Sequence, residues 1–204
     1  AGSQKGFMIP PGLAFIALSE KAWNVVDACK HPSFYFDLKA YKKNLAKSTT
    51  PYTPSVNLFI ALDEALQMMK EEGLCNIFIR HERLGKTVRA AIEALGLKLF
   101  VKDSDAQSNT ITAVEAPDGI NADDIRKLMQ SRFDVSLAGG QDHLKGKIFR
   151  IGTLGFCCDR DVLATIACLE ICLCELGYPV ELGIGSAAAA RKLIELYKQD
   201  LVKA

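Results

Sequence analysis

Gly2-Ser3-Gln4-Lys5-Gly6-Phe7-Met8-Ile9-Pro10-Pro11-Gly12 decides how the rest of the chain is read. One lysine stands between small residues and a stiff apolar turn. Glycines 2 and 6 let the backbone bend or approach another group closely. Pro10 and Pro11 fix φ and hold the following residues extended. Leu13-Ala14-Phe15-Ile16-Ala17-Leu18 is apolar on both faces, the pattern of a strand inside a covered sheet. A lysine held at the rim of such a sheet can lose its proton and attack a carbonyl. The alternative is a frayed, solvated side chain, which position in the chain alone would favour.

Bulk composition narrows the function classes. The chain has 204 residues and is 49% hydrophobic, enough for one large core or two modest ones. Its 25 basic and 24 acidic residues leave a net charge of +1 and form no basic stripe, so nucleic acid is not an expected partner. No run of about 18 apolar residues exists to span a membrane. No leader with a small-residue cleavage site is visible. Seven cysteines, none at zinc-ligand spacing, read as reduced and mostly buried thiols of a cytoplasmic protein, with no metal site. The chain opens on the lysine motif without a methionine, which suggests a fragment.

Between residues 19 and 95 the periodicity is helical. Ser19 caps a helix carrying Trp23 and Val26, and His31-Pro32 ends it. Phe34-Tyr35-Phe36, read as core, precedes Asp37, the expected cap of a short helix through Ala46. In Thr49-Thr50-Pro51-Tyr52-Thr53-Pro54-Ser55, Thr53 takes an N-cap position and Pro54 the first helical one. The helix beyond them carries Leu58, Ala61, Leu62, Ala65, Leu66 and Met69 on one side and stops at Gly73. A helix start with unpaired N–H groups and a hydroxyl is a ready anion site, although the same pattern also serves as an ordinary hydrated cap. Asn76 to Leu95 reads as one long helix with Gly96 as its stop, and His81 as a surface or junction residue on it.

From Leu97 the texture becomes α+β. Strands are expected at Lys98–Val101, Thr110–Val114 and Asp134–Ala138, and a helix capped by Asn121 or Asp123. In Lys147-Ile148-Phe149-Arg150-Ile151-Gly152-Thr153-Leu154-Gly155, period two puts Phe149 and Ile151 on one face and Arg150 with Ile148 and Gly152 on the other. A guanidinium beside glycine has room to receive a flat anion through two parallel bonds. The competing assignment is a salt-bridged arginine at a sheet edge. Asp159 is the expected cap of the next helix, on which Cys168 and Cys172 face one way as a core pair. Gly183-Ile184-Gly185-Ser186 imitates a dinucleotide loop but lacks the βαβ unit and downstream acid, so a plain helix from Ala187 to Val202 is expected instead.

Three separated motifs carry a resemblance: Gly2-Ser3-Gln4-Lys5 with Pro10-Pro11-Gly12, the Thr53 segment, and Phe149-Arg150-Ile151-Gly152 after a glycine pair. Together they resemble the class V pyridoxal-phosphate aminotransferases, in the alanine–glyoxylate and serine–glyoxylate (serine–pyruvate) branch. The resemblance implies an α/β chain, the C-terminal part of the type I pyridoxal-phosphate transferase fold with a small α+β C-terminal domain. Residues 1–73 would end the large cofactor domain and residues 74–204 would form the small one. It implies that Lys5 is the catalytic, Schiff-base lysine carrying pyridoxal 5'-phosphate. Thr53 would touch the cofactor phosphate of the other subunit in a homodimer with shared active sites, and Arg150 would hold the substrate α-carboxylate. The implied reaction is transamination between a small amino acid, alanine or serine, and glyoxylate or pyruvate, with the fragment inactive alone. Other readings are a non-catalytic dimerising fragment, a cysteine desulfurase-like class V lyase, or a relative labelled as a soluble hydrogenase subunit.

Overall fold

The structure, a computed structural model, describes residues 1–203. The chain divides into two compact units, Ala1–Glu71 and Glu72–Ala204.

The first unit holds α1 (Glu20–Ala28), α2 (Leu38–Leu45) and most of α3 (Val56–Glu72). Ser19 and Asp37 cap α1 and α2 as expected, accepting from the Ala22 and Lys39 amides. The α3 cap is not the expected one. Ser55 offers its carbonyl to the Leu58 and Phe59 amides, so Thr53 lies two residues before the cap and Pro54 is not the first helical residue. The expected strand over Leu13–Leu18 is reduced to one antiparallel bridge, Gly2↔Ala14. A strand persists only where its backbone groups find partners, and here the pairing stops at Ala1 and Ser3. Ile16 is 67% exposed, so the segment is not covered either. Ala65, on the apolar stripe of α3, is the unit's sole buried hydrophobic side chain. Phe34, Tyr35 and Phe36 are exposed, against the expectation that they would be core.

The second unit is built around one core. α4 (Leu74–Ala94) starts two residues earlier than expected and follows Gly73, whose φ of 83° favours a residue without Cβ. β1 (Ile111–Glu115), α5 (Ala122–Phe133), β2 (Ala138–Gly139), β3 (Ile148–Gly152), α6 (Asp159–Glu175) and α7 (Ile184–Lys203) follow. The sheet is antiparallel with order β1-β3-β2, so β3 is central. Phe149 and Ile151 of β3 and Val114 of β1 are buried against Leu84, Val88 and Ile92 of α4, Ile125 and Met129 of α5, and Ile166 and Leu169 of α6. The period-two reading of β3 holds: its apolar face looks into this core and its other face is more open.

Several expected elements differ. Lys98–Val101 adds only the bridge Leu99↔Val114, because Asp103 caps a 3-10 turn at Ser104–Ala106 and draws the chain away. Asp134 takes a left-handed conformation that ends α5, so of the expected third strand only Ala138 pairs, and the pairing runs on into Gly139. Asn121, not Asp123, caps α5. Cys158 occupies the α6 cap position and Asp159 the first helical one, where its carboxylate pairs with Arg83 at 3.1 Å. α7 begins at Ile184 because the buried carboxylate of Glu170 accepts from the Gly185 amide (2.6 Å), the Ser186 amide (3.2 Å) and the Ser186 hydroxyl (2.7 Å). That carboxylate supplies the acceptor a helix start requires.

His81 is buried rather than a surface residue. Its Nδ1 lies 2.7 Å from the Ile77 carbonyl, and its Nε2 accepts from the Gly155 amide at 3.2 Å. Those partners require a neutral ring protonated on Nδ1. Arg80 donates to the carbonyls of Gly155 (2.8 Å) and Cys157 (2.9 Å) and pairs with Glu72 at 2.5 Å. Two adjacent residues of α4 therefore fix the loop between β3 and α6.

Replacing Glu170 by Ala strands two amides at the start of α7 and should lower stability by about 2 kcal/mol, measured by urea unfolding. The Glu72 carboxyl is held below its ordinary range, chiefly by the Arg80 hydrogen bond. A lowered folded-state pKa adds stability above the unfolded value, and that stability is lost as pH falls through the folded one. Glu72→Gln should therefore flatten the acid side of a stability-against-pH curve while leaving its slope near neutrality unchanged.

Candidate active site

The Lys5 loop is organised by its neighbour Ser3, which is fully buried. The Ser3 hydroxyl donates to the Pro10 carbonyl (2.7 Å) and accepts from the Leu13 amide (3.2 Å), and its backbone N–H donates to the Leu13 carbonyl (3.1 Å). The chain between is a closed loop, tightened by the Met8 amide on the Lys5 carbonyl (2.9 Å), with Met8 at φ 61°. Phe7 and Phe15 pack with ring centroids 4.7 Å apart. Gly12 is the glycine the loop cannot replace: its φ is 146° and a Cβ there would lie 2.5 Å from Leu58 of α3. Lys5 is exposed on this stiff base, and its ammonium has no hydrogen-bond or ion-pair partner among the described residues. An accessible amine on a rigid loop suits imine formation with an aldehyde.

Thr53 is exposed, and its hydroxyl has no partner among the described residues. The stretch it sits on is braced by aromatics. The Tyr52 hydroxyl donates to the Phe34 carbonyl at 2.8 Å, and Tyr35 stacks on Tyr52 with centroids 5.0 Å apart. Thr50 turns back to donate to the Tyr52 carbonyl at 2.6 Å. The anion-site argument from a Thr53 helix cap does not survive, since α3 starts at Val56. What remains is a free hydroxyl on a braced loop. Lys5 and Thr53 belong to the first unit, with no hydrogen bond between them.

Arg150 belongs to the second unit and is half-buried on the central strand, so it is not the edge arginine of the competing assignment. Its cross-strand neighbours are Ala113 on β1 and Ala138 on β2. Both cross-strand neighbours are small side chains. Its Nε–H donates to the Gly139 carbonyl at 2.8 Å. No carboxylate among the described residues pairs with it. With Nε occupied, the end of the fork remains, and its two parallel N–H groups match a carboxylate. The Gly139 carbonyl was invisible to sequence reasoning, because β2 was expected to end before the glycine pair.

None of the seven cysteines is bridged. Only Cys172 is buried, and Cys29, Cys75 and Cys174 are exposed, so the expectation of mostly buried thiols is corrected. Burial pushes the Cys157 and Cys172 thiols up to about 11, far from thiolate character near neutral pH. Among the described residues no group of three His, Cys, Asp or Glu could hold a metal ion, and no helix is long and apolar enough to cross a membrane.

Comparison with known proteins adds descent to this geometry. No family model matches the chain. It is 38% identical over its whole length to an L-aspartate–glyoxylate aminotransferase of Paracoccus denitrificans, covering 50% of that protein. Among solved structures, the ureidoglycine–glyoxylate aminotransferase of Bacillus subtilis superposes with a TM-score of 0.86 at 32% identity, over 97% of this chain and 51% of the other. The homologues include class V glyoxylate aminotransferases. The chain has the mixed α/β structure of a C-terminal part of their fold, and it spans about half the length of the curated relatives it matches. A soluble hydrogenase small subunit of Synechococcus sp. is 58% identical over 95% of this chain and 50% of its own.

Ser3→Ala leaves the Leu13 amide and the Pro10 carbonyl without their hydroxyl partner. The Leu13 amide should then open more easily by about 1 kcal/mol, seen as roughly fivefold faster hydrogen exchange at that site.

Proposed function

We propose that a protein of its relatives' full length carrying this sequence is an aminotransferase, using pyridoxal 5'-phosphate and passing an amino group between a small amino acid and glyoxylate or pyruvate. The observation that carries this is Arg150: a guanidinium on a central strand, flanked by alanines, oriented by a carbonyl and paired with no carboxylate. A substrate α-carboxylate satisfies it. Both the amino donor and the oxoacid bring such a group, so one arginine serves both half-reactions.

The residues present suit the cofactor. Lys5 offers an unpaired amine for its aldehyde, and Thr53 a free hydroxyl for a phosphate, contributed across a homodimer interface to the partner's site. When bound, the cofactor supplies an electron sink for the bond cleaved at the α-carbon. Lys5 Nζ takes the proton from that carbon and returns it on the product side, as general base and then acid. Residues 1–73 would be the end of the large domain and residues 74–204 the small domain. The unbridged thiols suit a cytoplasmic setting. The 204-residue chain by itself should show negligible turnover.

A second reading, a subunit of a soluble hydrogenase, is favoured only by the names of relatives from Synechococcus sp. and Anabaena cylindrica.

The test uses the full-length protein with pyridoxal phosphate, reduced by borohydride and mapped by peptide. The label is expected on Lys5, and a label on another lysine would remove Lys5 from the reading. Arg150→Met should lower kcat/KM about 100-fold for donor and oxoacid alike, as for charge-assisted bonds worth about 3 kcal/mol. Hydrogen-dependent dye reduction with no amino transfer would favour the second reading.

A further inference from the structure

We propose that Arg126 and Gly139 are positioning residues for Arg150, forming a clamp that fixes where the carboxylate-binding guanidinium sits. The inference rests on the reading of Arg150 given above. It starts from how little holds β2. That strand is two residues long, follows the left-handed Asp134, and pairs with β3 through Ala138 and Gly139, with one further bond from the Gly140 amide to the Ile148 carbonyl at 3.1 Å. So short a strand has little intrinsic hold on its position. Yet its Gly139 carbonyl is the acceptor that orients Arg150 Nε at 2.8 Å.

The missing hold comes from α5. Arg126 donates from Nε to the Leu137 carbonyl at 2.8 Å, immediately before β2, and from Nη1 to Asp123 Oδ1 at 2.6 Å on its own helix. The guanidinium is thus tied at both ends and lies flat against the strand. Only glycine at 139 permits this. A Cβ there would stand 2.6 Å from Arg126 Nη1 and 3.0 Å from its Cζ. A flexible side chain would ordinarily swing aside from such a contact, but this one cannot do so without giving up its bonds to Leu137 and Asp123. The order of support is therefore Asp123, Arg126, the Leu137 carbonyl, the Gly139 carbonyl and Arg150. Arg126 acts through the strand, as groups behind a binding side chain do when they fix its rotamer.

The test compares Arg150→Met, Arg126→Met and Gly139→Ala in the full-length holoprotein. Four quantities are read: KM for alanine and glyoxylate, saturating kcat with them, competitive inhibition by propionate, and turnover of 2-aminopropanol, an amine without a carboxylate. Arg126→Met and Gly139→Ala should each raise KM and the propionate inhibition constant about tenfold, the scale of a misplaced binding group. Saturating kcat and turnover of 2-aminopropanol should stay within about twofold of the parent. If Arg126→Met fails to fold, Gly139→Ala carries the test, since it removes no bonding group. Arg150→Met raising both constants while the other two variants leave them unchanged would overturn the clamp and keep the carboxylate reading. No change in Arg150→Met would overturn that reading itself. An equal loss with 2-aminopropanol in the clamp variants would make them general structural supports and overturn the positioning role.

Discussion

A guanidinium half-buried on the central strand of a sheet requires an acceptor, and Arg150 finds only a carbonyl. Arginine keeps its charge at any physiological pH, so a sheet that places one inside carries a standing electrostatic demand. Four other arginines of this unit meet theirs with carboxylates, Arg80 with Glu72, Arg83 with Asp159, Arg126 with Asp123 and Arg132 with Glu175, and Arg89 spends two of its nitrogens on the Ser108 carbonyl and the Asn109 side chain. Arg150 is instead turned by Gly139 so that its remaining donors point out of the protein's own bonding network. Its cross-strand neighbours, Ala113 and Ala138, are small.

The rest of the second unit serves that placement. Phe149 and Ile151 bury one face of β3 among α4, α5 and α6, which fixes the register that sends Arg150 to the other face. His81 and Arg80 of α4 hold the loop that leaves β3, and Glu170 sets the start of α7. The first unit follows a different economy. Its one buried polar residue, Ser3, ties the loop that carries Lys5, while its apolar side chains other than Ala65 are half-buried or exposed.

Much of this was legible in the residues. The caps Ser19, Asp37 and Asn121 and the stop at Gly73 follow from local chemistry, and structure and sequence agree there. The alternation around Arg150 fixed its face. The errors have physical causes. A strand's apolar pattern says nothing about whether partners exist to pair it, and Leu13–Leu18 pairs at one bridge. Thr53-Pro54 reads as a cap, but Ser55 is one equally good and nearer the helix. His81 looked solitary because its partners are backbone groups, Ile77 and Gly155, which carry no signature in a sequence. The Gly139 carbonyl was hidden for the same reason. The resemblance to glyoxylate aminotransferases was readable from three short motifs, and relatives of that name match the chain.

The most direct measurement is to follow the Arg150 guanidinium nitrogen resonances while a plain carboxylate is titrated into the full-length holoprotein. The account expects a saturable shift of the terminal nitrogens, with the Nε–H to Gly139 retained, and no such shift with the matching alcohol. A carboxylate that binds without moving those resonances would contradict it.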